Sequence, residues 1–407
     1  MSKAEGARIR LDFLRSRRRR LMTDLLLVAP VVGFLLLVFA LPILSFMYRA
    51  VDSSLLYASF PRTQAILSNW QAPTAVPEAA YRALAEDMKA IPSSAELAIV
   101  ARNLNNFQEG YRSLLMKTAN QLPATEPSSW RESFLAIDKR WGDVPRWAVL
   151  KHETRRLTPS FLLAALDLKL DETGSIVRVQ PERRLYVPLL LRTFEISLSV
   201  ALICLVLGYP TAYVLTRMPP RAVGIMMFCV MLPFWTSLLV RTTAWIILLQ
   251  GNGPINGVLE LAGIIQKPLE LIFNRFGTLV AMSHVLLPYM ILPLYSAMRA
   301  IPETHVMAAQ SLGANRRIAF LKVYLPQTTS GIGAGLLLVF ILALGYYITP
   351  ALVGGPGDQM VSYMITYNVN KVINWGMASA LGFMLLLTTV MLLLVFSRAI
   401  RLKQVLG

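Results

Sequence analysis

Arg241 stands inside the apolar run Val223–Leu249. A charge at such a depth is costly unless it is paired or reaches the interface, so it is a functional candidate by default. Two roles stay open for it: a structural anchor snorkelling to the outer surface, or a gate or partner contact. Tyr346 and Tyr347 interrupt a second apolar run. Their ring faces could hold a cation on a pathway, or they could serve an aromatic belt or helix packing. Trp235, which follows Pro233 in the same run as Arg241, completes this set of path or gate candidates. Little else is arranged for chemistry. His152, His284 and His305 lack metal-ligand spacing, and His284 reads first as a histidine bonded within a bundle interior. Cys204 and Cys229 both lie in apolar runs and define no disulfide framework. No Gly-x(4)-Gly-Lys-[Ser/Thr] phosphate loop occurs, so if ATP powers this molecule another chain must bind it. Gly331-Ile-Gly333-Ala-Gly335 opens an apolar run and follows no strand, which fits close helix packing better than dinucleotide binding. No catalytic residue, metal ligand or bound cofactor is expected in this chain.

A different surface is offered by residues 303–326, a stretch too polar to span a bilayer that lies between two apolar runs. Ala308 and Ala309 begin a short helical pattern and Leu312 falls on the same face. Gly313 supplies a break where a helix can end and another backbone can approach. Arg316, Arg317 and Lys322 follow, and Pro326 closes the segment. A short helix, a glycine turn and a second short helix at a membrane surface would make a docking knob; the plain alternative is a loop.

The elements that must position these residues are apolar helices. The chain has 407 residues, 55% of them hydrophobic and 15% charged, with a mean hydropathy of +0.52. Near-continuous apolar runs of about 20 residues indicate a polytopic helical membrane protein. Six spans are expected: Leu25–Met47, Phe194–Leu215, Val223–Leu249, Leu279–Met298, Ile332–Leu352 and Gly376–Ser397. The first run is too long for a signal-peptide core and is read as uncleaved. A net charge of +17 suggests nucleic acid at first sight, but no basic segment is interleaved with base-stacking aromatics. The charge follows topology instead. Alternation from a cytoplasmic start places inside Lys3, Arg8, Arg10, Arg15, Arg17 to Arg20, Arg217, Arg221, Arg299, Arg316, Arg317, Lys322, Arg398, Arg401 and Lys403. The two short outer connections hold only Lys267, Arg275 and Lys371. The positive-inside rule therefore puts both ends in the cytoplasm. The spans are poor in acidic residues, Glu195 excepted.

Five parts result: a basic cytoplasmic N-terminus 1–24, a first span 25–48, a mainly helical extracytoplasmic insertion 49–191, a core of five spans 192–400 containing the 303–326 loop, and a tail 401–407. In the insertion, helical periodicity covers Ala79–Ile91 and Glu96–Met116, and more weakly Ser128–Trp141. Leu162 onward reads as a helix ending before Asp171, then a turn at Glu172-Thr-Gly174 and a strand Ser175–Gln180. Gly251-Asn-Gly253-Pro-Ile-Asn-Gly257 and Gly354-Gly-Pro-Gly-Asp358 read as outer turns.

Three stretches carry a family resemblance. Residues 307–326 resemble the EAA loop of ABC-importer permeases, E-A-A-x(3)-G-x(9)-I-x-L-P: Ala308, Ala309, Gly313, Leu325 and Pro326 match in register and Val323 stands for isoleucine. Met307 replaces the usual glutamate, and Glu303 lies one turn earlier. Leu344-Gly-Tyr346-Tyr347-Ile-Thr-Pro350 through Asp358 resembles the fifth-span signature of spermidine/putrescine-type permeases, and Met231-Leu-Pro233-Phe-Trp235 through Arg241 to Trp245 resembles their third-span region. The resemblance implies an all-α inner-membrane subunit of the type I ABC-importer class with six transmembrane helices. It implies two cytoplasmic ATPases that bind ATP and Mg, a second permease forming a heterodimer, and an extracytoplasmic solute-binding protein. It also implies coupling through Glu303, Met307, Ala308, Ala309, Leu312, Gly313, Val323, Leu325 and Pro326, with a small organic solute such as putrescine or spermidine. Large insertions like 49–191 are unusual in that family. A secondary transporter, or a signalling or assembly protein working through 49–191, stands as the alternative.

Overall fold

The computed structural model describes Met22 and residues Leu26–Leu406; the side chains of 396, 397 and 399–406 are left aside. The basic residues Lys3 to Arg20, Leu25, and the side chains of Arg401 and Lys403 lie outside that description. The first span is α1, Leu26–Tyr48. Eight short helices build the insertion: α2 Ser54–Ser59, α3 Pro61–Asn69, α4 Glu78–Ala90, α5 Ser94–Asn105, α6 Tyr111–Gln121, α7 Trp130–Ile137, α8 Val144–Glu153 and α9 Ser160–Ala164. A hairpin of β1 Leu168–Leu170 and antiparallel β2 Ile176–Arg178 follows, with Lys169 opposite Val177.

The permease half then runs through α10 Tyr186–Arg217, α11 Pro220–Trp235, α12 Leu238–Leu249, α13 Pro254–Leu261 and α14 Arg275–Arg299. Next come α15 Glu303–Ser311 and α16 Arg316–Ala319, which passes through a π turn Phe320–Tyr324 into Leu325–Gln327. The chain ends with α17 Thr329–Gly345, α18 Ile348–Val353, α19 Val361–Tyr367 and α20 Trp375–Leu406. Four described helices are long and apolar enough to cross a membrane, and the number reaches six when each of two bent pairs is counted as one span.

The second of these pairs bends by 57° between Arg316–Gln327 and Thr329–Gly345; the first bend, and a separate break, interrupt two of the expected spans. The Val223–Leu249 run breaks at Thr236 and Ser237, with a 99° bend between Pro220–Trp235 and Leu238–Leu261. Pro233 near the end of α11 has no N–H to continue the ladder. The Ile332–Leu352 run breaks at Tyr346 and Tyr347. There Ser362 donates to the carbonyls of Tyr346 (2.7 Å) and Leu344 (3.4 Å), which the break would otherwise leave unpaired. Glu96–Met116 is likewise two helices, because Gly110 takes φ +88° between them. The helix expected from Leu162 stops at Ala164, where Asp167 turns left-handed at φ +54°. Its buried carboxylate accepts from the backbone N–H groups of Leu185, Tyr186 and Val187 and caps α10. The second half of the Gly251–Gly257 turn is helical, with Pro254 in the first turn of α13.

Packing is close where the sequence supplies small residues. A Cβ on Gly331 would lie 2.6 Å from the Ala297 Cβ, and one on Gly335 2.6 Å from the Met290 Sδ, so α17 lies directly against α14. The core of this half gathers Ile196, Val200, Met282, Met290, Ile291 and Phe340. The insertion is seated on the bundle through Phe161, which stacks near Phe107 (4.7 Å) and fills the space above Gly376 at the start of α20.

Candidate functional site

Between α14 and α17 the chain forms the expected helix–turn–helix hairpin. α15 ends in a left-handed glycine: Gly313 has φ +95°, its N–H donates to the Gln310 carbonyl at 2.9 Å, and the Ala314 N–H reaches back to Ala309 at 3.0 Å. These are the two bonds of a Schellman cap. Asn315 then starts α16 by accepting from the Ile318 N–H at 2.9 Å. A Cβ on Gly313 would meet nothing within 4 Å, so the glycine answers to backbone conformation rather than to packing inside this chain.

The hairpin is rigidly attached. His305 Nδ1 bonds Gln327 Oε1 at 2.9 Å, and Gln327 Nε2 donates to the Val323 carbonyl at 2.8 Å, bracing α15 against the stretch that ends at Gln327. Phe320 and Tyr324 pack edge-on to Tyr213 of α10 at 5.4 and 5.5 Å, and the Arg217 guanidinium covers the Tyr213 ring at 4.6 Å. Beyond these anchors the surface is open. Leu312 is 90% exposed and Met307 53% exposed; Glu303, Ala308 and Pro326 are exposed too, while Ala309, Val323 and Leu325 are half-buried. Glu303 and Met307 line one cavity of about 590 Å³ together with Arg217, Arg299 and Arg316.

The path candidates divide. Arg241 and Tyr346 share a cavity of about 340 Å³ with Phe234, Leu286, Tyr289 and Leu342. Arg241 lies in the first turn of α12, just past the break, and its Nε and Nη1 are enclosed without a partner. Two of its three guanidinium nitrogens are thus turned into the bundle. Trp235, 79% exposed, and the exposed Tyr347 do not line that cavity. His284 accepts at Nδ1 from the Trp245 Nε1–H at 3.3 Å, yet remains exposed rather than interior.

Sequence reasoning missed an ion-pair cluster. Arg275 at the start of α14 holds Glu195 of α10 (3.0 Å) and Asp358 (2.6 Å), whose other oxygen accepts from the Gly355 N–H. Asp358 looked like a turn residue, and no spacing rule connects positions so far apart. A hint was available only in the scarcity of acids beside the spans.

Broken apolar helices around an inward arginine, with a braced polar hairpin below one end of the bundle, define a membrane transport component. The comparisons agree. The model for "Binding-protein-dependent transport system inner membrane component" matches residues 204–403. The chain is 33% identical over 218 residues to the spermidine/putrescine transport system permease protein PotB of Escherichia coli (strain K12), covering 54% of this chain and 79% of that protein. It is 34% identical over 215 residues to PotB of Haemophilus influenzae, covering 53% and 75%. Among solved structures, a bacterial alginate ABC transporter in complex with an alginate-pentasaccharide-bound periplasmic protein has a chain aligned at TM-score 0.43 and 16% identity, over 52% of this chain and 76% of that one. The chain belongs to the binding-protein-dependent transport system inner membrane components, and it is a multi-pass permease subunit of an ABC importer. The family match starts after the insertion.

Proposed function

We propose that this permease forms, with a second and different permease, the membrane path of an importer for small organic amines of the putrescine and spermidine kind. A solute-binding protein delivers the amine from outside, and two separate ATPase subunits bind and hydrolyse ATP-Mg; the chain itself makes no covalent chemistry. ATP-driven closure of the ATPases pulls on the 303–326 hairpin and rocks the two permeases between inward and outward access. In this reading Glu303, Met307, Ala308, Ala309, Leu312 and Gly313 form the docked face, and Val323, Leu325 and Pro326 carry its motion into α17. The insertion 49–191 lies outside, and 303–326 and both termini inside. The amine reading draws on the PotB relatives. The observation that carries the coupling reading is the exposed Leu312 beside the left-handed Gly313 on a hairpin braced at its base.

The test has two parts. Single cysteines at Ser68 and Ser311 should label from opposite faces of intact cells, and equal labelling would sink the topology. Reconstituted with its partners, the permease should take up radiolabelled putrescine or spermidine only with ATP. Uptake driven by an ion gradient alone would refute the mechanism.

A further inference from the structure

The base of the insertion presents a basic and apolar surface that no step of the importer reading uses. Arg155, Arg156, Lys169, Arg178, Arg183 and Arg184 are all exposed. None of the six forms a salt bridge among the described residues, and Arg184 spends only its Nε, on the Val179 carbonyl. The acids of the same stretch are mostly committed inside the fold. Asp167 caps α10, and Asp171 accepts from the N–H groups of Thr173 and Ser175 at 2.9 and 2.8 Å. Glu172 and Glu182 remain, so the surface is basic. Large aliphatic side chains stand among the cations: Ile176 is 62% exposed, Leu157 54%, and Leu166 and Leu185 are exposed as well. In the hairpin register Leu168 pairs with Arg178 and Leu170 with Ile176, so three aliphatics and one arginine share a face.

The spans fix where this surface sits. Just past the end of α1, the Thr158 N–H donates to the Val51 carbonyl (2.8 Å) and the Ser53 N–H to the Arg156 carbonyl (3.1 Å). Phe161, Leu162 and Tyr186 pack with Ala50, Leu189 and Met377, at the adjoining ends of α1, α10 and α20. The Arg49 guanidinium lies 5.2 Å over the Trp375 ring, and Tyr48 and Trp375 are exposed there, as aromatic residues are at a bilayer interface. The patch is therefore level with the place where three helices leave the apolar layer. Charge sorting among the spans does not account for it, because long loops do not follow the positive-inside rule. Aliphatic side chains interleaved with Lys and Arg at this height suit an interfacial segment, the first entering the acyl boundary and the second meeting lipid phosphates.

We propose that residues 155–185 form a collar that binds anionic phospholipid in the leaflet from which α1, α10 and α20 emerge. The arginines meet the headgroup phosphates, while Leu157, Leu166, Ile176 and Leu185 enter the boundary below them, and the insertion is held against the membrane by its base. That this leaflet is the outer one rests on the topology proposed above; the contact itself does not.

The test uses the complex that purifies through a tag on this chain, reconstituted in phosphatidylcholine vesicles with or without phosphatidylglycerol. In a Cys204→Ala, Cys229→Ala background, a nitroxide on Ile176→Cys should collide with oxygen more than with a water-soluble nickel complex, and more so when phosphatidylglycerol is present. A nitroxide on Ser68→Cys, exposed on the insertion away from the collar, should favour nickel in both. The second measurement counts lipids retained by the delipidated complex in native mass spectrometry. Wild type should prefer phosphatidylglycerol to phosphatidylcholine, and salt should weaken the preference. Arg155→Gln, Arg156→Gln, Arg178→Gln, Arg183→Gln and Arg184→Gln together should lower it by roughly 10-fold or more, with the protease resistance of the insertion unchanged. Should that variant lose its protease resistance, the nitroxide at 176 decides. Equal retention of the two lipids by wild type, or nickel access at 176 equal to that at 68, would overturn the proposal. An unchanged lipid preference in the glutamine variant, with lost stimulation of the ATPase by the solute-binding protein, would overturn it and assign the patch to that protein. Lipid protection at 176 with Ser68→Cys labelled only from the cytoplasmic side would uphold the collar and overturn the topology.

Discussion

The insertion and the 303–326 hairpin are both polar stretches outside the apolar spans, and they dispose of their apolar residues in opposite ways. The insertion closes on itself. Tyr81, Phe134, Trp141 and Trp147 form one buried aromatic cluster with ring centroids 4.5 to 5.6 Å apart. Each polar tip is answered inside it: Trp141 Nε1 donates to Thr118 Oγ1, and Trp147 Nε1 and the Tyr81 hydroxyl both donate to the Trp141 carbonyl. The hairpin keeps Met307 and Leu312 in the open while its base is locked to α10. A segment that spends its hydrogen bonds on rigidity and leaves large apolar side chains uncovered is shaped for a partner. The insertion instead buries its aromatic core within itself.

The sharpest way to break this contrast is Gly313→Asp. At φ +95° any side chain strains the turn, although aspartate bears the left-handed region better than most residues and no neighbour obstructs its Cβ. Strain in the turn, together with bulk and charge at the docked face, should cut solute-stimulated ATPase activity more than 10-fold while insertion into the membrane is normal. ATPase recovery and stimulation equal to wild type would show that the hairpin is not the coupling element.

Trp141→Ala works on the other side of the comparison. Emptying a fully buried indole site costs about 3–5 kcal/mol, and it also strips Thr118 of its indole donor. Limited proteolysis of membranes should then cut within 54–165 well before the permease half, while ATPase co-purification is unchanged. A parallel loss of ATPase would mean that the two regions are not independent.

Glu153 sharpens the same point through pH. It is buried, and that burial raises its carboxyl to about 7, although Thr158 and Ser160 donate to it. The folded insertion therefore holds a proton that the unfolded chain releases near the ordinary carboxylate value. Stability should be highest below about pH 4.5 as far as this group is concerned, and fall as pH rises through about 7, by at most about 3 kcal/mol. Glu153→Gln should flatten that dependence in a proteolysis-against-pH series; an unchanged slope would reject the assignment.

Legibility followed locality. Apolar runs announced the four helices long enough to cross a membrane, and Gly313 with Ala308 and Ala309 announced the hairpin, because each depends on neighbours within a few positions. The break at Thr236 and Ser237 was hidden since hydropathy stays high across it, and the break at Tyr346 needs Ser362, from another helix, to donate to its carbonyls. Asp167 looked like the tail of a helix and is the cap of α10. The inward turn of Arg241 depends on α14 and α17, which no local pattern names.

Met307→Ala carries the smallest expected effect and tests the finest distinction within the hairpin. Met307 occupies the place where the resembled loop has glutamate, and it lines the cavity that also holds Glu303, Arg217, Arg299 and Arg316. Glu303 and Met307 are four positions apart, so the two stand one helical turn apart on one face. A carboxylate at 307 would be removed by alanine; a methionine takes away only half-exposed apolar surface, and surface changes of that kind are usually within about 0.5 kcal/mol. Stimulated ATPase activity of Met307→Ala should stay within about two-fold of wild type, with Glu303→Gln the more damaging of the pair if the carboxylate one turn earlier serves the contact. A Met307→Ala loss as deep as that of Gly313→Asp would mean that the thioether itself fills a pocket on the ATPase. In that case the apolar exposure of the hairpin, rather than its charge, sets the strength of docking.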